Sequence, residues 1–312
     1  MKRQTAVILA CYATIYVVWG STYYFIRSSV ATIPPGWVLA IRWTIGGCIL
    51  LGYSAARGKL RVRLSFREVL ASIALGVLLL LLGNGGITLA ERTIDSYIGA
   101  LLASSTPILV AVFDGLLLRK RMTVARVLGV IFGCVGVAVF LYNGHSVGST
   151  LSPSLLIGLL GAVAWALATS LGHRFPVSGD NTVNSGIQML FVGGITLAGS
   201  LLLGPPVREV TQAISAASLV GVLYLAVIGS LAFSAFTYLV AREPAERLVS
   251  YALVNPLIAL VIGLGLAGET ATPYLGIGVP LVLVGLAFMV YGERFFARIR
   301  PKSAESRRSS AP

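Results

Sequence analysis

The chain is dominated by ten runs of about twenty apolar residues, separated by short polar stretches. A helix needs about 20 such residues to cross a hydrocarbon core of roughly 30 Å. Charged residues make up only 11% of the sequence, against about 25% in soluble domains, so most of the surface must face lipid. The pattern predicts an all-α integral membrane protein with ten transmembrane helices. The predicted spans are Thr5–Ile26, Gly36–Ala56, Val69–Leu89, Ser96–Leu118, Val124–Leu141, Pro153–Leu171, Thr182–Leu203, Leu219–Val240, Leu248–Ala267 and Tyr274–Gly292.

The two halves of the chain repeat one another. At a constant offset of 149 residues Pro107 aligns with Pro256, and at an offset of 146 residues Trp19 aligns with Trp165. Because each copy contains an odd number of crossings, the second copy must lie upside down in the bilayer. Inverted repeats of this kind are typical of secondary transporters. The predicted units are a first five-helix repeat over residues 1–148, a second, inverted repeat over 149–300, and a disordered cytoplasmic tail over 301–312.

The net charge of +13 is distributed unevenly along the chain. With the N-terminus inside, 20 of the 24 Lys and Arg residues fall on the inner side, which is the positive-inside bias of membrane proteins. Both termini are therefore predicted to be cytoplasmic. The basic residues are split among short loops and form no single face, so nucleic acid is not an expected partner. The expected partners are the lipid bilayer and a small-molecule substrate.

The sequence lacks the motifs that most enzymes need. No glycine-rich phosphate loop follows a strand, no HExxH-type or paired-Asp metal site is present, and the two histidines fall in different loops. We therefore expect no catalytic residue, no metal and no cofactor. A pore-forming channel is the rival class, although a channel usually needs a ring of like residues from several subunits. A complete pseudo-dimer within one chain can instead act as a monomer.

Three segments carry a family resemblance: Tyr16–Tyr23 (YVVWGSTY), Gly83–Gly86 (GNGG) followed by Ala90-Glu91, and Ser250–Pro256 (SYALVNP) followed by Gly268-Glu269. The chain in these segments resembles the EamA family of the drug/metabolite transporter superfamily, and within it a YedA-like bacterial branch. The resemblance implies ten helices in two inverted five-helix repeats, a central cavity, and export of amino acids, related metabolites or drug-like compounds across the bacterial inner membrane. Lys120 stands where the family usually has an acidic residue, whereas the second copy keeps Glu269.

Polar and aromatic residues inside the apolar runs are the candidates for substrate contact. A buried polar group needs a partner in hydrocarbon, so these side chains are expected to point into the bundle. Trp19 and Trp165 lie well inside their helices, although Trp and Tyr also form interfacial belts. The predicted cavity residues are Trp19, Ser21, Tyr23, Arg42, Asn84, Thr88, Tyr97, Ser104, Trp165, Gln188, Tyr238, Tyr251 and Asn255.

Two charged residues fall inside predicted spans, where an ionisable side chain is expensive and usually functional. Arg42 either extends toward the outer interface or serves as a fixed cation for a substrate carboxylate, with Gln188 as a neutral counterpart opposite it. Asp114 either forms a structural ion pair with Arg121 or acts as a coupling or gating acid. The sequence leaves both pairs of alternatives open.

Pro107 and Pro256 are expected inside the fourth and ninth helices at matched positions. Each removes a backbone hydrogen bond, so each is either a passive kink or a hinge beside the cavity. Taken together, the sequence predicts a secondary active or gradient-driven transporter that exports small amphipathic metabolites by alternating access. The alternatives are multidrug or organic-cation efflux and a pore-forming channel.

Overall fold

The computed structural model describes residues 2–61, 64–119, 123–141, 152–266, 268 and 274–299. Within these residues the chain is helical apart from short turns, and it contains no strand. The sequence predictions that concern Lys120, Arg121, Glu269, the segment joining the two halves and the C-terminal tail lie outside the described residues.

Among the described residues, the first half forms seven α-helices. Residues Val77–Asn84 form a π-helix that joins α3 to α4, so Phe66–Ala90 is one continuous helical segment. A π-helix has one extra residue in each turn, and it occurs often at functional sites. The helices are α1 (Lys2–Val30), α2 (Pro35–Ala56), α3 (Phe66–Gly76), α4 (Gly85–Ala90), α5 (Ser96–Ala103), α6 (Thr106–Leu118) and α7 (Val124–Leu141).

The described part of the second half forms eight α-helices, two of them short. A π-helix over Leu225–Gly229 joins α11 to α12, so Ala216–Val240 is also continuous. The two π-helices thus interrupt the third predicted span of each half. The helices are α8 (Pro153–Leu171), α9 (Asn181–Leu203), α10 (Val207–Ala213), α11 (Ala216–Tyr224), α12 (Ser230–Val240), α13 (Ala245–Leu248), α14 (Tyr251–Leu266) and α15 (Leu275–Ile299).

Six helical segments are long and apolar enough to cross a membrane, and shorter apolar stretches of helix in the described part of the chain are Val124–Gly136, Val254–Leu266 and Gly276–Gly285. Two of the predicted spans, Val124–Leu141 and Pro153–Leu171, coincide with α7 and α8 to the residue. The six segments are Gln4–Val30, Pro35–Ala56, Phe66–Ala90, Pro153–Arg174, Asn181–Leu203 and Ala216–Val240.

The predicted single helix over Ser96–Leu118 was wrong. The helix breaks at Ser104 and Ser105, and Pro107 lies in the first turn of α6 instead of a helix interior. A proline in the first turn removes an N–H that has no partner within the helix, so it is tolerated there. Pro256, in contrast, does lie inside α14. The two prolines therefore occupy different local structures despite their matched positions in sequence.

Polar caps fix several helix ends. The Ser65 hydroxyl accepts a hydrogen bond from the Glu68 backbone N–H, and the Glu68 carboxylate accepts one from the Ser65 backbone N–H, which completes a capping box at α3. The Asp180 carboxylate accepts hydrogen bonds from the first backbone N–H groups of α9 and forms an ion pair of 2.9 Å with Lys59. The loop after α2 is thereby tied to the start of α9.

Small residues allow the most extensive helix contacts, which join α2 to α9 and α7 to α15. A Cβ atom on Gly136 would stand 2.6 Å from the Val282 backbone nitrogen, and one on Gly285 would stand 2.5 Å from the Gly133 nitrogen. Since these distances are too short for a side chain, glycine is required where the backbones meet. Lipid gives helices no hydrophobic reason to associate, so close backbone approach stabilises such pairs.

Two further groups of helices pack around α1 and α8. Helix α1 contacts α11, α12 and α14, whereas α8 contacts α4, α6 and the π-helix Val77–Asn84. The largest buried cluster lies between these two groups and includes Trp19, Trp43, Phe233 and Phe236. The centre of the bundle is therefore aromatic.

Candidate functional site

A cavity of about 60 Å³ lies at the centre of the bundle. Its wall draws on both halves of the chain, because α1, α2 and α4 meet α8, α12 and α14 there. The volume has room for a few water molecules. The lining residues are Trp19, Thr22, Tyr23, Ile26, Arg42, Trp43, Gly83, Asn84, Ile87, Ala103, Thr106, Gly161, Ala162, Trp165, Phe233 and Tyr251.

Aromatic rings form one side of the cavity. The Trp19 ring centroid lies 5.4 Å from that of Trp165, 5.0 Å from that of Tyr251 and 4.8 Å from that of Phe236. The indole N–H of Trp165 donates a hydrogen bond of 2.8 Å to the Tyr251 hydroxyl. The structure thus brings together the two tryptophans that the sequence offset paired, and it adds a tyrosine that fixes one of them.

Arg42 is buried in the cavity wall with 2% of its surface exposed. Its Nη1 donates to Asn84 Oδ1 at 2.9 Å, and its guanidinium carbon lies 4.1 Å from the Trp43 ring centroid. The alternative in which Arg42 extends to the outer interface was wrong, because the side chain turns into the bundle and stacks on an indole there. This stacked, hydrogen-bonded cation is the strongest charge on the cavity wall.

The surroundings of Arg42 explain how a charge is tolerated at this depth. The fully buried Glu91 exerts an electrostatic attraction on the guanidinium. Gly229, at the end of the second π-helix, lies against Nη2, where a Cβ atom would be 3.5 Å away. Asn84 ends the first π-helix and also accepts at 3.4 Å from the Thr88 hydroxyl. Both π-helices therefore end beside the same cation.

Seven predicted site residues lie outside the cavity wall, and five of them are Ser21, Thr88, Tyr97, Ser104 and Asn255. Ser21 shares a hydrogen bond of 2.8 Å with the Tyr224 hydroxyl, and Ser104 donates at 2.6 Å to the Ala252 carbonyl. The Thr88 hydroxyl donates to the Asn84 carbonyl at 2.9 Å. The Asn255 amide, oriented as a donor, reaches the carbonyls of Tyr16 and Tyr251 at 3.1 and 3.2 Å. These residues join or cap helices, while Tyr97 is half-buried near the start of α5.

Gln188 and Tyr238 were predicted at the central cavity and line other cavities instead. Gln188 lines a second cavity of about 140 Å³, together with Asn184 and His173. Tyr238 lines a wider depression and lies under Arg242, whose guanidinium carbon is 3.9 Å from the ring centroid. The expectation that Gln188 stands opposite Arg42 was wrong, because its helix α9 presents it beside the turn that follows α8.

Asp114 is buried with 3% of its surface exposed, and its Oδ1 accepts a short hydrogen bond from the Ser170 hydroxyl. This bond links α6 to α8. Arg121, the ion-pair partner predicted for Asp114, lies outside the described residues, so that alternative stays a prediction.

Sequence reasoning missed several residues of the cavity wall. Trp43 and Phe233 are apolar and resembled lipid-facing residues, yet they are 1% exposed. Trp43 follows Arg42 directly, and a large aromatic residue beside a buried cation is a signal that a search for cation–π pairs would have found. Among the described residues no group of three or more metal-binding side chains occurs.

Apolar helices around a small aromatic cavity with a buried cation define a polytopic membrane transport protein. The profile of the EamA-like transporter family matches the chain twice, over residues 4–142 and 152–291. The chain therefore belongs to the EamA-like transporter family, and the predicted family is confirmed.

Relatives agree with this assignment. The uncharacterized inner membrane transporter YedA of Escherichia coli is 29% identical over 94% of both chains, and the uncharacterized transporter YvbV of Bacillus subtilis is 27% identical over 92% of both. A solved crystal structure superimposes with a TM-score of 0.71 and 22% identity, over 95% of this chain and 99% of the other. That likeness supports the fold alone.

Proposed function

We propose that this transporter exports small amphipathic metabolites, with apolar amino acids and related compounds as the first class of cargo. The observation that carries the proposal is a cavity with aromatic walls and a buried, partly neutralised guanidinium at its edge. Rings accommodate an apolar or flat body, and a guanidinium is suited to a carboxylate. The small volume is that of a closed form, so cargo binding requires the wall to open.

The proposed mechanism is alternating access driven by the solute gradient or by protons. The chain has no phosphate-binding loop for ATP. The location that we assign is the bacterial inner membrane, as in the E. coli relative. The protein lies there as a multi-pass protein and can act as a monomer, because both walls of the cavity come from one chain.

The proposed membrane arrangement is ten helices in two inverted five-helix repeats, residues 1–148 and 149–300, with both termini in the cytoplasm. Reciprocal packing supports it: α2 pairs with α9, α7 pairs with α15, and the partners of α1 correspond to those of α8. Two separate family matches support it as well.

Cysteine labelling tests this arrangement. On a Cys-free background, an impermeant maleimide applied outside should modify a cysteine at position 269 but not one at position 120. Labelling of both positions from the same side would overturn the inverted repeats.

The transport proposal is tested by counterflow in proteoliposomes. We expect saturable uptake of L-leucine or L-phenylalanine, with a pH gradient separating proton coupling from facilitated diffusion. Trp19→Ala should raise the half-saturation concentration by about 2–30-fold, since aromatic and cation–π contacts contribute about 0.5–2 kcal/mol. Trp37→Ala is the matched control, because Trp37 is equally buried in a different cluster. An ohmic, non-saturating current would show a channel instead.

Organic-cation efflux is the second candidate, because several rings converge on the cavity and rings attract cations. The same assay with a flat quaternary ammonium compound decides between the two. Since Arg42 repels a second cation, we expect amino acids to be favoured. Preferential transport of the cation would reverse the assignment.

A further inference from the structure

A second cavity follows the central one along two helices, α8 and α12. On α8, Trp165 lines the central cavity while Ala168 lines the second, and on α12 Phe233 lines the first while Thr237 lines the second. The separation is one helical turn, or about 5 Å at 1.5 Å per residue. Phe236, fully buried, lies between the two positions on α12 and contacts the rings of the central cavity. An aromatic partition therefore separates two adjacent cavities.

The second cavity contains an unmatched buried acceptor. Gln188 is 1% exposed, and its amide nitrogen donates to Asn184 Oδ1 at 3.0 Å. Its amide oxygen Oε1 is buried and accepts no hydrogen bond from the described residues. A buried acceptor without a donor is unfavourable, so we expect the Gln188 amide to turn toward an N–H group of a ligand in this cavity.

One exposed cation, Arg242, lines the second cavity. Arg242 lines both this cavity and the wider depression beside it, and its side chain is held by the Tyr238 ring and by a hydrogen bond of 3.3 Å to the Tyr238 carbonyl. His173 lines the same cavity and is exposed. A preorganised guanidinium binds a carboxylate at lower entropic cost than a free one.

The two polar features lie on an apolar background formed by residues such as Leu75, Leu79, Phe175 and Val240. A buried acceptor fits an ammonium group, an exposed cation fits a carboxylate, and the apolar wall fits a hydrocarbon side chain. These three features together match an apolar α-amino acid in its zwitterionic form. The volume of about 140 Å³ exceeds the 60 Å³ of the central cavity.

We propose that the second cavity is a separate binding site for an apolar α-amino acid, on the path between the central cavity and the end of the bundle where α8 meets α9. The proposal rests on the proposed function, because it assigns the amino-acid class to the same path. The Gln188 amide oxygen accepts from the ammonium group and Arg242 binds the carboxylate.

The test uses the full chain in nanodiscs and equilibrium binding of radiolabelled L-leucine, with leucinol and 4-methylvalerate as competitors that lack the carboxylate and the ammonium group. We expect two equivalents bound to the unmodified chain. Arg242→Gln should weaken one site about 10-fold or more for leucine, the scale of a hydrogen bond to a charged group, and leave leucinol competition unchanged. Arg242→Lys should restore much of the affinity. Arg174→Gln is the matched control, because Arg174 is exposed near the same end of the bundle and lines neither cavity.

Gln188→Met keeps the length of the side chain while it removes the acceptor. It should weaken leucine and leucinol at the second site, and leave 4-methylvalerate unchanged. One bound equivalent in the unmodified chain, or wild-type affinity in both variants, would overturn the second site. Leucine flux with wild-type kinetics in both variants would overturn the site and leave the transport proposal standing. Binding at the second site without any leucine flux in proteoliposomes would overturn the transport proposal and leave the second site standing.

Discussion

Replacement of Arg42 by glutamine should weaken the binding of cargo and leave the stability of the protein nearly unchanged. Arg42 donates to Asn84, stacks on Trp43 and lines the central cavity. Glutamine retains a donor for Asn84 and removes the charge. If the guanidinium binds the cargo carboxylate, the variant should lose affinity for amino acids but not for organic cations.

The expected magnitudes follow from these contacts. A hydrogen bond to a charged group contributes about 1.5–3 kcal/mol, so amino-acid affinity should fall about 10- to 150-fold. The neutral side chain avoids an insertion cost of about 2.5–3.5 kcal/mol for a charge near mid-membrane. It also loses a cation–π contact of about 2 kcal/mol and about 1 kcal/mol of the Asn84 hydrogen bond. The avoided insertion cost and the two lost interactions nearly cancel, so the free energy of unfolding should change by no more than about 1 kcal/mol.

The assay compares counterflow of L-leucine and of a quaternary ammonium compound in proteoliposomes, alongside thermal unfolding in detergent. Arg42→Lys keeps a charge but not the planar guanidinium, and it should rescue amino-acid transport only in part. Arg92→Gln is the control, because Arg92 is exposed at the end of a helix. Equal losses for both cargo classes, or no loss, would refute the role of Arg42 in carboxylate recognition.

Three further changes have separate readouts. Tyr251→Phe should cost about 1 kcal/mol of stability in thermal unfolding, because it leaves the partly buried Trp165 indole N–H without its acceptor. Unchanged stability would show that the bond contributes nothing. Pro256→Ala should reduce transport at undiminished stability if α14 hinges at this proline. Pro107→Ala, in the first turn of α6, should leave transport unchanged, and equal effects of the two changes would refute the distinction. Burial raises the pKa of the Asp180 carboxyl, but hydrogen bonds from Lys59 and the α9 backbone outweigh this and hold it below its ordinary 3.8. The stability that this carboxylate contributes is present above its pKa in the unfolded chain and is lost as the pH falls through its pKa in the folded protein. The melting temperature should therefore decline below about pH 4. In Asp180→Asn it should decline less steeply.

The sequence predicted most of the helical segments well, because they are long apolar runs and polar caps mark several of their ends. The break at Ser104 and Ser105 escaped prediction, since serine is tolerated in a membrane helix and Pro107 pointed to a kink instead of a helix start. The two π-helices were also missed. Their sequences, such as Val77–Asn84, contain nothing that distinguishes them from an ordinary apolar helix.

The candidate site was predicted in part. Trp19 and Trp165 could be paired because the repeat offset relates positions in the two halves. Arg42 could be predicted at the cavity because a charged side chain in an apolar helix needs polar surroundings. Gln188 was misplaced for a related reason: equivalent positions in inverted copies share a local environment only when both copies have the same conformation. Trp43 and Phe233 were missed because an apolar residue gives no sign of whether it faces lipid or cargo.

The placement of Arg42 and Gln188 also bears on the mechanism. The proposed repeat offset of 146 residues pairs Arg42 with Gln188, yet Arg42 lines the central cavity and Gln188 lines the second cavity. In an inverted-repeat transporter the opposite-facing form arises when the two halves exchange conformations. On the proposed arrangement, that exchange would turn Gln188 toward the centre and move Arg42 toward a cavity at the other end of the bundle. The cargo would then meet a guanidinium in one form and a neutral amide in the other. A carboxylate would be held more weakly in the second form, and this difference would favour release on that side of the membrane.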